Sequence, residues 1–202
     1  MSKKKNYEEL KLLTLGDSSV GKSSFIVKYI EDKFSYNYIA TLGLDFKQKK
    51  IQLKSGENVR LRIFDTAGQE RFKSISINFI KKANGILLLY DITNKNSFQS
   101  VNMWMESIKE AAGGKISVIL IGNKCDLENE RAISKKEGEE KAKQFGLPFF
   151  ETSCKEGTNI NNVFEKLAED ILSKTSNNIE NKGQKITKEK SSKQNDKNKG
   201  CC

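Results

Sequence analysis

The run Gly16-Asp17-Ser18-Ser19-Val20-Gly21-Lys22-Ser23 has the residue types and spacing of a phosphate-cradling loop. Its glycines let the backbone curl so that N–H groups from Ser18, Ser19, Val20 and Gly21 through Ser24 wrap phosphate oxygens. Lys22 would reach the β and γ oxygens and take part in catalysis, and the Ser23 hydroxyl would face Mg²⁺. That pattern leaves the base open. Asn123-Lys124-Cys125-Asp126 addresses it, because it follows the apolar run Ser117 to Gly122 and so sits at the edge of a sheet. A carboxylate at Asp126 accepts from both the N1–H and the exocyclic amine of guanine, whereas adenine offers an acceptor at N1. Asn123 is expected to brace the phosphate loop, Lys124 to lay its stem along the base, and Ser153, Cys154 and Lys155 to present backbone N–H groups to the guanine carbonyl.

Asp65-Thr66-Ala67-Gly68-Gln69 supplies the remaining chemistry. Asp65 can hold Mg²⁺ through a water, Gly68 can offer its N–H to a γ-phosphate, and Gln69 can orient an attacking water. Thr41 is a second candidate Mg²⁺ hydroxyl, and Phe34 could pack on the edge of the base. Segments carrying Thr41 and Gly68 would both sense whether the γ-phosphate is present, so GTP and GDP would give two shapes. The chain has no histidine, so any metal must be held by oxygen rather than imidazole.

These residues need a frame that brings them to one edge. Leu10 to Leu15 reads as a strand running into the glycine loop, and Gly21 onward as a helix carrying Phe25, Ile26, Tyr29 and Ile30. Leu44 to Leu53 and Val59 to Phe64 read as an antiparallel pair across a glycine-containing loop. Strands follow at Gly85 to Tyr90, Ser117 to Gly122 and Pro148 to Glu151, with helical patterns near 97 to 112, 135 to 145 and 160 to 172. The expected fold is α/β: a six-stranded, mostly parallel sheet with one antiparallel edge strand, helices on both faces, and ligands at the carboxyl ends of the strands.

At 202 residues the chain suits one buried domain with tails. Its net charge of +10 suggests nucleic acid until its distribution is read. Residues 174–202 carry eight lysines and three acids, and Met1 to Lys5 adds three positive charges, which leaves about +2 for the rest. The basicity therefore belongs to the ends, and no nucleic-acid partner is expected. The expected division is a flexible N-terminus over 1–9, a nucleotide-binding domain over 10–173 and a disordered basic tail over 174–202. No run approaches the roughly 20 apolar residues of a membrane span, and the N-terminus lacks a secretory apolar stretch.

From about Leu10 to Ile171 the chain resembles the Ras superfamily of small GTPases and, within it, the Rab family. The resemblance rests on Thr41 to Phe46, on Asp65 to Phe72 (Asp-Thr-Ala-Gly-Gln-Glu-Arg-Phe), on Leu88 to Thr93 and on Glu151-Thr152-Ser153. It implies a monomeric P-loop G domain that recruits effectors to membranes in vesicular transport and is reset by slow GTP hydrolysis. It also implies an exchange factor, a GTPase-activating protein and a GDP-dissociation inhibitor. Gly200-Cys201-Cys202 resembles the double-cysteine Rab ending, implying that an escort protein and a geranylgeranyl transferase lipidate Cys201 and Cys202. Two lipid chains give stable anchoring where one is marginal, and each tail lysine adds about 1 kcal/mol on an anionic leaflet. The expected location is the cytoplasmic face of an intracellular membrane, with cycling through the cytosol, and the switches suggest the secretory branch.

The chain departs from the Rab pattern in several places. Phe64 stands where Rabs usually carry Trp, and Phe79-Ile80-Lys81 where they carry two tyrosines and an arginine. Leu42-Gly43-Leu44 replaces the more usual Ile-Gly-Val, Cys154 replaces an alanine, and Ser19 a frequent glycine. Effector contacts are expected at Leu42, Gly43, Leu44 and an aromatic triad of Phe46, Phe64 and Phe79. Strand alternation sends Phe64 away from Leu61 and Ile63, which favours docking, with local packing against Phe46 as the other reading. A binding module that never cycles is disfavoured by the presence of Lys22, Ser23, Thr41 and Gln69. An ATPase or small-molecule kinase conflicts with Asp126.

Overall fold

The computed structural model describes residues 7–35, 44–66, 73–113 and 116–176. Its strands are β1 (Glu8–Leu15), β2 (Leu44–Gln52), β3 (Asn58–Thr66), β4 (Gly85–Asp91), β5 (Ser117–Asn123) and β6 (Phe149–Thr152). Its helices are α1 (Lys22–Glu31), α2 (Lys73–Ile80), α3 (Lys95–Ala112), α4 (Lys135–Phe145) and α5 (160–176).

β4 and β5 are apolar on both faces, and every residue of each is buried. Runs of that kind belong in the middle of a sheet covered on both sides. The strand order β2-β3-β1-β4-β5-β6 places them there. β1 pairs parallel with β3 and β4, β5 pairs parallel with β4 and β6, and only β2–β3 is antiparallel. The β2–β3 turn closes through hydrogen bonds from Leu53 N to Glu57 O and from Gly56 N to Leu53 O, both 2.9 Å.

On one face Leu10, Leu12, Leu61 and Ile63 pack against α1 and α5, where Tyr29 and Phe164 stack with centroids 3.7 Å apart. On the other, Leu13, Leu88 and Tyr90 pack against Ile80 of α2, Trp104 and Met105 of α3 and Ala142 of α4. α4 begins with a reciprocal capping box between Ser134 and Glu137.

α2 was not legible in the sequence. Lys73–Ile80 is eight residues long, places isoleucine at alternate positions 75 and 77, and is too short to be stable alone in water. Packing of Ile80 and Phe79 against the second core holds it. α5 continues past residue 173, where the domain was expected to end. Residues 177–202 and 1–6, with the tail reading and Cys201 and Cys202, lie outside the described residues. No helix among the described residues is long and apolar enough to cross a membrane.

Candidate functional site

The phosphate loop joins β1 to α1, and two of its glycines are dictated by geometry. Gly16 has φ of +134° and Gly21 +100°, both in the left-handed half that glycine alone occupies freely. A Cβ on Gly16 would lie 2.2 Å from Leu89 O, and one on Gly21 would lie 2.4 Å from Asn123 Nδ2. The loop therefore touches both β4 and the β5 end, and no side chain fits in either gap. Lys22, 5% exposed, donates from Nζ to Gly16 O at 2.9 Å and Asp17 O at 2.7 Å. This folds the ammonium back over the loop it must serve. Trp104 Nε1 donates to Asp17 Oδ1 at 2.9 Å, tying α3 to the same loop.

Asn123 is the joint of the site. Its Nδ2 donates to Val20 O at 2.9 Å, and its Oδ1 accepts from Thr152 Oγ1 at 3.0 Å and Cys154 Sγ at 3.5 Å. One buried side chain thus binds the phosphate loop to the β6 loop, and the sequence-based expectation that it braces the former describes half of its contacts. Ser153 Oγ donates to Asp126 Oδ1 at 2.6 Å and accepts from Glu156 N at 3.0 Å, which sets the plane of the carboxylate. Lys124, at φ of +69°, directs Nζ to Asp91 Oδ2 at 2.6 Å. Asp91 in turn accepts from Thr93 N and Thr93 Oγ1. Asp91 and Trp104 were not singled out as site residues; Asp91 was visible only as part of the Leu88 to Thr93 motif.

Between these groups lies a cleft of about 410 Å³ lined by Ser19, Gly21, Ser24, Phe34, Asn123, Lys124, Asp126, Cys154 and Lys155. Phe34 is 38% exposed at its mouth. At the other end Ser23 Oγ donates to Asp65 Oδ2 at 2.5 Å, and Thr14 Oγ1 donates to Asp65 Oδ1 at 3.4 Å. The site residues at 41, 42, 43, 68 and 69 lie outside the described residues, and Leu44 is placed only as the first residue of β2.

Of the expected aromatic triad, Phe46 is 50% exposed, while Phe64 and Phe79 are half-buried against the second core. Phe46 and Phe64 face each other across β2–β3 with centroids 6.0 Å apart, and Phe64 and Phe79 are 6.3 Å apart. Phe64 does point away from Leu61 and Ile63, but α2 closes over that side, so local packing accounts for much of its surface.

Burial pushes the Cys154 thiol up from 9.0 to about 12. A folded-state value above the unfolded one means that its contribution to stability is complete below pH 9 and is lost as pH rises toward 12. Cys154→Ala should therefore flatten the alkaline loss of stability, by on the order of 2 kcal/mol at pH 11. Chemical denaturation at pH 7.5 and 11 checks this; an unchanged pH dependence counts against it. Tyr29 and Tyr90 are shifted upward by burial in both proteins, so the difference isolates the thiol.

A glycine loop feeding a helix N-terminus, and an acidic pocket two strands away at the same sheet edge, define a phosphate-loop nucleotide-binding protein of the α/β class. The sequence model of the Ras family matches residues 11–173. The chain is 45% identical over 172 residues to Ras-related protein Rab-13 of Canis lupus familiaris, covering 85% of this chain and 84% of that one. It is 46% identical over 173 residues to Ras-related protein Rab-10 of Diplobatis ommata, covering 85% and 86%. Against Ras-related protein Rab-8A of Gallus gallus it is 42% identical over 197 residues, covering 94% and 95%. The chain belongs to the Rab family of Ras-related small GTPases, and its activity is GTP hydrolysis.

Proposed function

We propose that the protein is a GTP/GDP switch that recruits effectors to an intracellular membrane in vesicular transport, timed by its own slow hydrolysis. The observation that carries this reading is the Ser23–Asp65 hydrogen bond. It joins the first turn of α1, where phosphates would lie, to the end of β3, from which the chain runs on to Gly68 and Gln69. A change at the phosphate end is thereby coupled to a segment that a partner can read.

The oxygens of Ser23 and Asp65 are hard donors and close together, which fits Mg²⁺, with Thr41 as a second hydroxyl. Bound there, the ion would neutralise charge on the β and γ oxygens. Lys22 would exchange its contacts with the Gly16 and Asp17 carbonyls for those oxygens, Ser18 to Ser24 would supply N–H donors, and Gly68 would hold the γ-phosphate. Gln69 would orient the attacking water. Asp126, Lys124, Ser153, Cys154, Lys155 and Phe34 would enclose guanine. With no arginine in the phosphate loop or over 32–43, an activating protein would supply one, while an exchange factor reloads GTP. An escort protein with geranylgeranyl transferase would lipidate Cys201 and Cys202, and a GDP-dissociation inhibitor would carry the lipidated form through the cytosol. Residues 1–9, 10–173 and 174–202 would act as N-terminus, G domain and tether.

Protein isolated from its own cells should carry two prenyl groups at its C-terminus by mass spectrometry. Loaded with a non-hydrolysable GTP analogue, it should retain on prenylation-competent membranes a partner that the GDP form does not. Equal retention in both states would defeat the switch reading, and an unmodified C-terminus would defeat the anchor.

A further inference from the structure

The registers of β1, β3 and β2 lay out one face in rows. Leu13, Phe64 and Phe46 form the first row, Lys11, Arg62 and Gln48 the second, and Glu9, Arg60 and Lys50 the third. Residues two apart on a strand share a face, so these side chains stand together. Phe79 of α2 extends the aromatic row beyond Phe64. Beneath it is a hollow of about 140 Å³ lined by Lys11, Leu13, Arg62, Phe64, Phe79 and Lys82. The Arg62 guanidinium sits 5.2 Å from the Phe46 centroid and 5.8 Å from that of Phe64, so the cation and the rings form one surface. Lys50 and Lys82 are exposed. Arg60 Nε is buried with no hydrogen-bond partner. Against these cations the rows offer one carboxylate, Glu9, 3.3 Å from Arg62.

We propose that this face docks an acidic amphipathic helix of a partner protein. Its apolar stripe seats on Phe46, Phe64 and Phe79, one of its side chains enters the hollow, and its flanking carboxylates pair with Lys11, Arg60, Arg62 and Lys82. The proposal rests on the effector-recruitment reading and adds the partner's chemistry to it. The ring spacings of 6.0 and 6.3 Å are close to the pitch of one helical turn, ~5.4 Å, so apolar residues on successive turns meet successive rings. A recessed, one-side-chain hollow beside aromatic rings is the geometry of an interface anchor. A bilayer surface, though also anionic, is flat and has no side chain to insert. The buried, unpartnered Arg60 Nε is a donor whose desolvation a partner's carboxylate would offset.

The test uses full-length protein loaded with GDP or with a non-hydrolysable GTP analogue. The probes are a labelled helical peptide of about five turns with a leucine stripe flanked by glutamates, the same peptide with lysines in place of the glutamates, and vesicles of phosphatidylserine and phosphatidylcholine. By fluorescence anisotropy the glutamate peptide should bind the GTP-analogue form at least tenfold tighter than the lysine peptide. The double variant R62E/K82E should abolish that ratio, Arg62→Gln should reduce it several-fold, and Glu9→Gln should raise it. Retained nucleotide in each variant reports an intact fold. A ratio near one in the unmodified protein, a ratio that survives R62E/K82E, or binding to vesicles but to neither peptide overturns the proposal. GTP-dependent binding that ignores charge defeats the acidic partner and leaves recruitment standing. A charge-dependent ratio that is the same in both nucleotide forms supports the partner's chemistry and defeats GTP-gated recruitment.

Discussion

Replacing Asp126 with asparagine is expected to convert the protein from a guanine binder into a xanthine binder. The carboxylate accepts from two guanine donors. An amide puts a donor where one acceptor stood, which mismatches the guanine amine and suits the carbonyl that xanthine has there. Sites built around hydrogen bonds reject analogues that leave a polar group unpaired by factors of 10⁴ or more, so GDP affinity should fall by on the order of 10⁴-fold while xanthosine diphosphate gains. The Ser153 hydroxyl donates to Asp126 Oδ1 and can still donate to an amide oxygen, so the side chain should keep its orientation. Competition against a fluorescent nucleotide measures the exchange. A variant that still prefers GDP would remove Asp126 from the base pocket.

Gln69→Leu should leave GTP binding near normal while slowing its hydrolysis. Gln69 is assigned to orienting water, and misplacing a reacting group by about 1 Å costs on the order of 10²-fold. Leucine keeps comparable bulk but can neither accept from nor donate to the attacking water. Single-turnover phosphate release, with nucleotide affinity measured alongside, separates chemistry from binding. The loss should be largest when an activating protein is present, because the step being accelerated is the one Gln69 positions. Unchanged hydrolysis in both conditions sinks this role for Gln69.

Both predictions come from motifs legible without coordinates, and the reason is local. Gly16 and Gly21 are required by positive φ and by contacts that no Cβ survives, so the loop's demand is written into residue type. β4 and β5 were readable because strands buried on both faces become continuous apolar runs. The parallel order of the sheet followed from strands alternating with helices.

Other features depended on residues far apart in the chain meeting in space. α2 has little helical signal of its own and exists because Phe79 and Ile80 bury against the second core. Trp104 reaches Asp17 across 87 positions and Asn123 reaches Val20 across 103. No periodicity announces such pairs, since each depends on the relative placement of whole elements.

The sequence by itself determined the class of chemistry: phosphates at Gly16 to Ser23, guanine at Asp126 and water at Gln69, because backbone freedom and donor patterns are properties of residue types. Tertiary structure decided how those pieces are coupled. Asn123 locks the phosphate loop to the β6 loop and Asp65 meets Ser23, because β1, β3 and β5 end at one edge of the sheet. It also decided that Phe64 is half-buried beneath a basic face rather than standing clear, since only the packing of α2 against β1 and β3 determines what covers that ring.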